Sequence, residues 1–479
     1  MRGIISIAGY VPYRRLQRSA VGQVFGGGGG KGTRSVASHD EDTTTMGVEA
    51  ARLALRSVPG VAPDALWFAT ATPAYLDKTN ATAIHAALRL PAPVPAFDFG
   101  GALRSGVGAL RAGLSGSGAG TTLVVLSDMR DGLPTSADEA AGGDGAAAVV
   151  VGDDGPGAPV IAELVGAASV SDEFLDRWRT PGERRSKVWE ERFGETRYVP
   201  LGLEAWESAL KAAGLTAGQV DAVAVTGMHG RAAKALTRKL GVGDGVVADD
   251  LTTTVGQAGA AHPGLVLASI LERSGPGAVV AVVALADGAD VLIFRTTDAL
   301  ASYVAADPVA EQIAGGADLT YGKFLTWRGM VTPEPPRRPE PARVSASAAW
   351  RNEEWKFGFV GSRDRTSDVV HLPPSRVSMK GGAVDDMDPV DRADAGATIA
   401  TYTIDRLAYS PSPPIVFAVL DFDGGGRFPV ELTDVDPDRV DIGDRVTMTF
   451  RKLFTADGIH DYFWKARPAR ATNSTRGDG

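Results

Sequence analysis

The positions of apolar residues divide the chain into two regions of different periodicity. Up to Phe294, short β-branched runs alternate with alanine-rich stretches, a pattern typical of layered α/β proteins. The β-branched runs predict the strands Ala65–Thr70, Thr122–Ser127, Ala146–Val151, Ala222–Thr226, Val279–Ala284 and Asp290–Phe294. The alanine-rich stretches predict the helices Thr45–Arg56, Ser105–Leu114, Leu203–Ala213, Arg231–Leu240 and Gly264–Arg273.

The order of these elements repeats within the first region. The helical residues Glu49–Arg56 are followed by a loop, Asp64 and a predicted strand. Glu207–Ala213 are followed in the same way by a loop, Asp221 and a strand. A chance match between common αβ units is the alternative explanation. The repeat predicts two similar halves that stack face to face, with a cleft between them.

A proline-rich stretch separates the two regions. Thr332–Pro341 contains five prolines, which stiffen a chain towards polyproline II, so we predict a linker over residues 311–341. Beyond it, short strands alternate with glycine- and aspartate-rich turns, which is typical of a small β-barrel over residues 342–470. Residues 471–479 are predicted to be disordered. The predicted barrel strands are Thr398–Asp405, Ile415–Asp421, Arg427–Glu431 and Arg445–Arg451.

The composition limits the chemistry that is available to the chain. There is no cysteine, which excludes disulfides, thiolate zinc sites and thiol nucleophiles together. A net charge of −9 and a pI near 5.3 argue against bulk attraction to nucleic acid. No apolar run reaches the roughly 18 residues of a membrane span, and the first residues lack the apolar core of a signal peptide. We therefore expect a cytoplasmic location without membrane association.

A run of glycines near the N-terminus invites comparison with phosphate-binding loops. Gly26–Gly30 is followed by Lys31, Gly32 and Thr33, whereas a phosphate loop needs Ser or Thr directly after its Gly-Lys pair. No buried strand leads into the run. We interpret it as a flexible entrance loop.

Several segments of the first region resemble hydroxymethylglutaryl-CoA synthases, especially the archaeal type, and their ketoacyl synthase relatives. The resemblance spans nearly all of residues 1–297, and it implies a five-layered αβαβα thiolase fold over 1–310 with a coenzyme A thioester as substrate. The segments are His39–Leu55, Ala96–Leu110, Asp176–Tyr198, Met228–Gly241 and Val255–Leu271.

The same resemblance assigns the catalytic positions. The family's nucleophilic cysteine falls at Leu103, which cannot be acylated, and its acid/base glutamate falls at Ala71. The catalytic histidine matches His229, and the asparagine that partners it in many relatives corresponds to Gln257. Ser105 lies two positions after Leu103 and is interpreted as a structural residue at the helix start, with a substitute nucleophile as the alternative.

The resemblance also points to residues at the mouth of the cleft that would contact coenzyme A. The two cations of the glycine loop region would contact its phosphates, and the others lie in the stretch that lines the cleft in the family. These candidates are Lys31, Arg34, Trp178, Arg179, Arg192 and Phe193.

The C-terminal region resembles the zinc-ribbon and OB-fold proteins that accompany thiolase-like enzymes. The segments that carry this resemblance are Phe357–Ser378 and Val416–Lys452. The family's two Cys-x-x-Cys pairs hold zinc, and here no thiolate remains, so we expect no zinc. The aspartate-rich run Asp421–Asp444 argues against nucleic acid as a partner. The former zinc-ligand positions are Asp364, Ser367, Ser378 and Gly381.

The leading hypothesis from these observations is an enzyme that binds acyl-CoA and performs C–C chemistry beside the thioester without a covalent intermediate. His229 would move protons in an aldol-type addition or cleavage, or a decarboxylation, and Gln257 would stabilise developing charge. A catalytically silent subunit of a thiolase-like complex and an acyltransferase with another nucleophile remain as alternatives. We also expect a homodimer, or a heteromer with a thiolase-like subunit, paired through Thr121–Ser127 as an edge strand.

Overall fold

A computed structural model describes residues 1–116 and 120–469 of the chain and divides it into two compact units. The first unit consists of Met1–Ala37, Asp42–His85 and Leu90–Phe324. The second consists of Ser38–Glu41, Ala86–Arg89 and the chain from Leu325 onwards. The predicted disorder of residues 471–479 lies outside the described residues.

Strands and helices alternate along the chain as far as Trp327. The strands are β1 (Arg2–Tyr10), β2 (Arg14–Gln17), β3 (Thr33–Val36), β4 (Ala65–Thr70), β5 (Ala96–Gly100), β6 (Thr122–Met129), β7 (Asp144–Asp153), β8 (Ala162–Ser171), β9 (Arg177–Trp178), β10 (Lys187–Val188), β11 (Ala222–Gly227), β12 (Val279–Leu285), β13 (Gly288–Thr296) and β14 (Ala317–Asp318). The helices are α1 (Ser19–Phe25), α2 (Thr43–Arg56), α3 (Ala81–Ala87), α4 (Arg104–Ser115), α5 (Ala137–Ala141), α6 (Glu191–Ala213), α7 (Gly230–Thr237), α8 (His262–Leu271), α9 (Val309–Ala314) and α10 (Tyr321–Trp327).

The main sheet of the first unit is built from two halves with the same pairing pattern. Its strand order is β11-β12-β13-β8-β1-β7-β6-β4-β5. From β1 outwards, two antiparallel pairings are followed by two parallel ones. From β8 outwards, two antiparallel pairings are followed by a parallel one and by a single parallel bridge between Val223 and Val247. This symmetry confirms the predicted duplication.

The duplication extends to individual hydrogen bonds. Asp64 accepts from the backbone N–H of Thr121 at 2.8 Å and donates its own N–H to the Thr121 carbonyl at 2.7 Å. Asp221 makes the equivalent pair with Val279, at 2.7 and 2.8 Å. Each aspartate thus ties the start of one parallel strand to the start of its neighbour.

Helices cover and separate the two halves. α2 packs on β1, β6 and β7, and α6 packs on β8 and β13. Between the halves, α4 and α8 contact strands of both, and every residue of α8 is buried. The layers are therefore αβαβα, as predicted. α4 closely approaches the segment directly before α8 at Gly106, where an added Cβ would lie 2.0 Å from the Ala260 carbonyl oxygen.

Three predictions differ from the structure. The predicted edge strand Thr121–Ser127 is wrong, because β6 lies inside the sheet between β4 and β7, and the edge is formed by β5. The predicted helix Leu203–Ala213 begins earlier, at Glu191, and continues through Pro200. Helix and strand also continue into the predicted linker, so the stretch without either runs only over residues 328–345.

The second unit contains a closed barrel and a smaller sheet. Its strands are β15 (Val360–Asp364), β16 (Val370–His371), β17 (Met387–Asp391), β18 (Gly396–Asp405), β19 (Ile415–Phe422), β20 (Arg427–Leu432), β21 (Arg445–Ala456) and β22 (Ile459–Pro468). The barrel order is β18-β19-β20-β22-β21, and β16-β15-β17 form the smaller sheet. Two short helices, α11 (Ala346–Arg351) and α12 (Glu353–Lys356), precede them.

Buried ion pairs run through the second unit. The side chain of Arg451 is fully buried, contacts Glu41, and lies 2.8 Å from Asp434. Lys465 lies 3.1 Å from Asp40. Burial alone would raise the pKa of Asp40, but the ammonium of Lys465 holds it well below its usual range. The short segment Ser38–Glu41 therefore supplies anions to two cations of the barrel strands.

Among the described residues, we find no helix with the length and apolar character that a membrane crossing requires.

Candidate functional site

The end of β5 and the start of α4 place Leu103 beside a very small cavity. Gly101, at a φ of +93°, turns the chain between the strand and the helix. Leu103 lines a cavity of about 20 Å³ together with Gln257, Thr226, Gly227 and Leu285, among others. A single water needs roughly 10–15 Å³. The space beside Leu103 therefore has room for about one water molecule.

Ser105 does not face a base in this arrangement. Its hydroxyl donates to the carbonyl of Gly100 at 3.0 Å and so secures the turn between strand and helix. An activated serine needs a neighbouring group that accepts its proton. The geometry fits the structural interpretation of Ser105.

Gln257 faces the cavity through its side chain but is held by the backbone. Its side-chain NH₂ group donates to the Gly227 carbonyl at 3.0 Å, and its backbone pairs with Gly142. Leu103 and Gln257 therefore share one cavity, as the family assignment implies. The amide is already engaged, with one N–H committed to the protein itself.

His229 caps the N-terminus of α7 with its own ring. Its Nδ1 accepts from the backbone N–H of Ala232 at 3.0 Å, and its Nε2 lies 2.9 Å from the Glu191 carbonyl. A carbonyl only accepts hydrogen bonds, so Nε2 is the donor in this contact. Both ring nitrogens are bonded to backbone groups, and His229 is not among the residues that line the Leu103 cavity.

An acidic group that the sequence reasoning missed lies beside His229. Asp176 is 4% exposed, and its Oδ1 has no hydrogen-bond partner in the described part of the chain. A Cβ added at Gly194 would lie 2.4 Å from that oxygen and 2.6 Å from His229 Nε2, so both atoms border the same point. Burial raises the pKa of Asp176, an effect that the nearby His229 partly offsets. Asp176 and Tyr198 are the first and last residues of a segment that resembles the family, and this was the signal in the sequence that could have pointed to Asp176.

An arginine lies beside Ala71, the residue assigned to the family's glutamate position. Arg179 Nη2 lies 3.5 Å from the Ala71 carbonyl, at the end of β4. The next residue, Thr72, donates to the buried Asp128 at 2.5 Å. Burial raises the pKa of Asp128, and Arg130, at 3.9 Å, opposes this shift.

The residues predicted to contact coenzyme A differ in their exposure, from exposed to fully buried. Lys31 and Arg192 are exposed, while Trp178, Arg179 and Phe193 are half-buried. Arg34 was predicted as a phosphate contact, and the structure contradicts this, because its side chain is fully buried. Its guanidinium donates to the carbonyls of Glu139 at 2.9 Å and Arg130 at 2.7 Å, which leaves no surface for a phosphate group.

The former zinc positions of the second unit do not fit a metal ion. Ser367 donates to Asp364 Oδ2 at 2.5 Å, and the N–H of Thr366 donates to Oδ1 at 2.9 Å. Hydrogen bonds from Ser367, Ser378 and Thr366 lower the pKa of Asp364 to about 2. The fourth position, Gly381, has no side chain to offer. Within the described residues, no three His, Asp or Glu side chains cluster as metal ligands would.

Comparisons with known proteins agree with both parts of the architecture. Residues 390–451 match the family model for the ChsH2 C-terminal OB-fold domain. Hydroxymethylglutaryl-CoA synthase of Pyrococcus furiosus is 29% identical over 226 residues, which cover 46% of this chain and 64% of that protein. The match to the Aeropyrum pernix enzyme of the same name is 29% identical and covers 69% of this chain and 94% of that protein.

A solved structure shows the same fold. PksG, a hydroxymethylglutaryl-CoA synthase from Bacillus subtilis, superimposes with a TM-score of 0.58 at 18% identity, covering 69% of this chain and 89% of PksG. The chain spans less than two thirds of the P. furiosus relative. The chain thus joins a domain that is similar in sequence and fold to hydroxymethylglutaryl-CoA synthases to an OB-fold module that contains residues 390–451.

Proposed function

We propose that this protein binds an acyl-CoA thioester as a component of C–C bond chemistry, and that it takes no acyl group covalently itself. Its sequence relatives are named for the condensation that makes hydroxymethylglutaryl-CoA. In this chain, the geometry favours the role of a supporting subunit over that of an enzyme that catalyses the condensation itself.

The observation that carries the proposal is the Leu103 cavity. Leucine occupies the position assigned to the nucleophile, and the space of about 20 Å³ beside it holds little more than one water molecule. The polar residues nearby are also committed, since Gln257 and both ring nitrogens of His229 are bonded to backbone groups. Proton transfer at His229 would require the loss of a bond that caps α7 or holds α6.

Binding of coenzyme A would use the candidates that remain accessible. Lys31 and Arg192 are exposed cations that suit phosphate groups. Trp178 and Arg179 are half-buried on or directly after β9 and could contact the nucleotide or the pantetheine arm. Arg34 takes no part in this proposal.

The partner would be a thiolase-like subunit that carries the nucleophile, or a second copy of the chain. The edge strand β5 supports this, because Phe97 is 57% exposed there and one side of the strand is unpaired within the described sheet. Phe97→Asp should abolish such pairing in sedimentation analysis, and an unchanged assembly would exclude β5 as the contact.

Mass spectrometry tests the covalent part directly. Incubation of the natively purified protein with acetyl-CoA should leave its intact mass unchanged. Leu103→Cys restores a thiol at a helix N-terminus, and Leu103→Ala is the matched control that opens the same space without a thiol. A stable acyl adduct on the unaltered chain would refute the proposal, and calorimetry with coenzyme A tests binding separately.

A second candidate function is non-covalent C–C cleavage or addition, and the Asp176 site favours it. A buried carboxylate oxygen without a partner beside a histidine is a typical arrangement for proton transfer. His229→Ala would then lower turnover by about 10²–10⁴-fold while leaving coenzyme A affinity unchanged. If the purified protein turns over no acyl-CoA, with or without its partner, this second candidate function is refuted and only the supporting role remains.

A further inference from the structure

A groove on the second unit is lined by aromatic and proline residues and has no part in the site described above. It lies where α11 and α12 meet the smaller sheet, and its volume is about 380 Å³, within the ~300–1,000 Å³ typical of ligand sites. The apolar residues that line it are Trp350, Trp355, Val360, Pro374, Met387 and Pro389.

The two tryptophans leave their polar edges available. Trp350 is 73% exposed. Trp355 is anchored against Phe359 and Phe428, with ring centroids 5.0 and 4.9 Å apart. Over residues 1–116 and 120–469, neither indole N–H has a hydrogen-bond acceptor. Each indole can therefore donate to a carbonyl of a segment that lies across its ring.

The charges at the groove are predominantly negative. Glu353 and Glu354 line it and are exposed, and neither has an ion-pair partner in the part of the chain that the structure describes. Asp388 also lines the groove but is held by Arg365 at 2.6 Å. Arg351 adds one positive charge, so the lining side chains carry a net charge of −2.

The chain itself contains a segment with the complementary chemistry. Pro335–Pro339 reads Pro-Pro-Arg-Arg-Pro, and its two arginines are exposed without an ion pair among the described residues. Proline-rich segments favour polyproline II, which has no internal hydrogen bonds and leaves its carbonyls free as acceptors. Aromatic grooves recognise such segments through stacked prolines and indole donors.

We propose that the groove binds the Pro335–Pro339 segment of a second copy of this chain. Within one copy, the segment is not among the residues that line the groove. In the complex, prolines pack on Trp350 and Trp355, the indoles donate to carbonyls, and Arg337 and Arg338 pair with Glu353 and Glu354. Each copy carries both a segment and a groove, so the contact can be reciprocal.

A labelled peptide that spans Thr332–Ala342 tests the proposal with the full chain. Fluorescence anisotropy should show saturable binding, and Trp350→Ala should weaken it about tenfold or more, as for an aromatic anchor. Trp189→Ala is the matched control, because Trp189 is also exposed, at 60%, and lies in the first unit. Absence of saturable binding, or equal binding by the two variants, would overturn the proposal.

Charge exchange tests the paired residues. Glu353→Arg combined with Glu354→Arg should weaken binding, by about two- to fivefold for each exposed pair lost. A peptide with Arg337→Glu and Arg338→Glu should bind this variant better than it binds the unaltered chain. If the exchanged peptide gains nothing, the arginines do not lie at the glutamates and the proposed orientation is refuted.

Discussion

The buried ion pair between Glu41 and Arg451 offers a quantitative test of what stabilises the second unit. Both side chains are fully buried, and Asp434 is the second anion at the guanidinium, at 2.8 Å. Glu41→Gln removes one anion and leaves the cation with Asp434. Loss of one partner from a buried pair costs about 3–5 kcal/mol. Because Asp434 remains, we expect the lower value, about 3 kcal/mol.

Urea denaturation followed by tryptophan fluorescence measures this loss. Trp464 reports on the barrel, since it is 1% exposed. With a slope of about 1–3 kcal/mol per molar urea, the midpoint should fall by about 1–3 M. Arg427→Ala is the control, because the Arg427–Asp421 pair is exposed, at 64% and 48%, and should contribute less than about 1 kcal/mol. Equal midpoint shifts in the two variants would refute the reasoning.

Two further predictions concern the fold. Burial lowers the pKa of His39 and of His262 to about 4. Between pH 6.5 and 4 the unfolded state therefore binds more protons than the folded state. The free energy of unfolding should fall as the pH falls, by up to about 3 kcal/mol for each histidine. Burial raises the pKa of Glu272 to about 7, so this residue increases the stability of the fold as the pH falls and offsets the loss from about one of the two histidines. A net fall in stability is therefore expected, and a urea midpoint that stays constant between pH 7 and 4.5 would contradict it. Gly106→Ala should cost about 1–3 kcal/mol in thermal unfolding, since its Cβ would meet a backbone oxygen at 2.0 Å. Gly108 lies in the same helix, and a Cβ added there would meet no atom within 4 Å, so Gly108→Ala should stabilise the fold by about 0.5–1 kcal/mol. If both substitutions stabilised the fold, or both destabilised it, the close approach at Gly106 would be contradicted.

Most of the fold was predictable because burial follows local periodicity in it. The strand Ala65–Thr70 has the predicted bounds, and the repeated aspartates Asp64 and Asp221 mark the duplication. β22 was not predicted, because Asp461 and Lys465 occupy buried positions of that strand and interrupt its apolar pattern. Both are ion-paired, and pairs with distant residues leave no local signal.

The candidate site was predictable where it depends on residue identity. The assignment of Leu103 to the family's nucleophile position rests on the resemblance alone and stays a prediction. The burial of Arg34 could not be predicted, because the sequence does not distinguish an arginine with acceptors inside the protein from the more common arginine at the surface. Asp176 was missed for a similar reason, since only the fold shows that an unpaired carboxylate oxygen lies beside His229.

The placement of Ser38–Glu41 in the second unit has a consequence for biosynthesis. Glu41 leaves the ribosome long before Arg451, about 20–80 s earlier at ordinary rates of synthesis. The anions of this segment must therefore remain available until strands β21 and β22 have been made. A gene fragment that starts at Leu325 would encode Arg451 with Asp434 and Lys465 with Glu431, but each cation would lack its second carboxylate, Glu41 or Asp40. Completion of the second unit therefore joins a segment that is made early, Ser38–Glu41, to strand β21, which is made about 400 residues later.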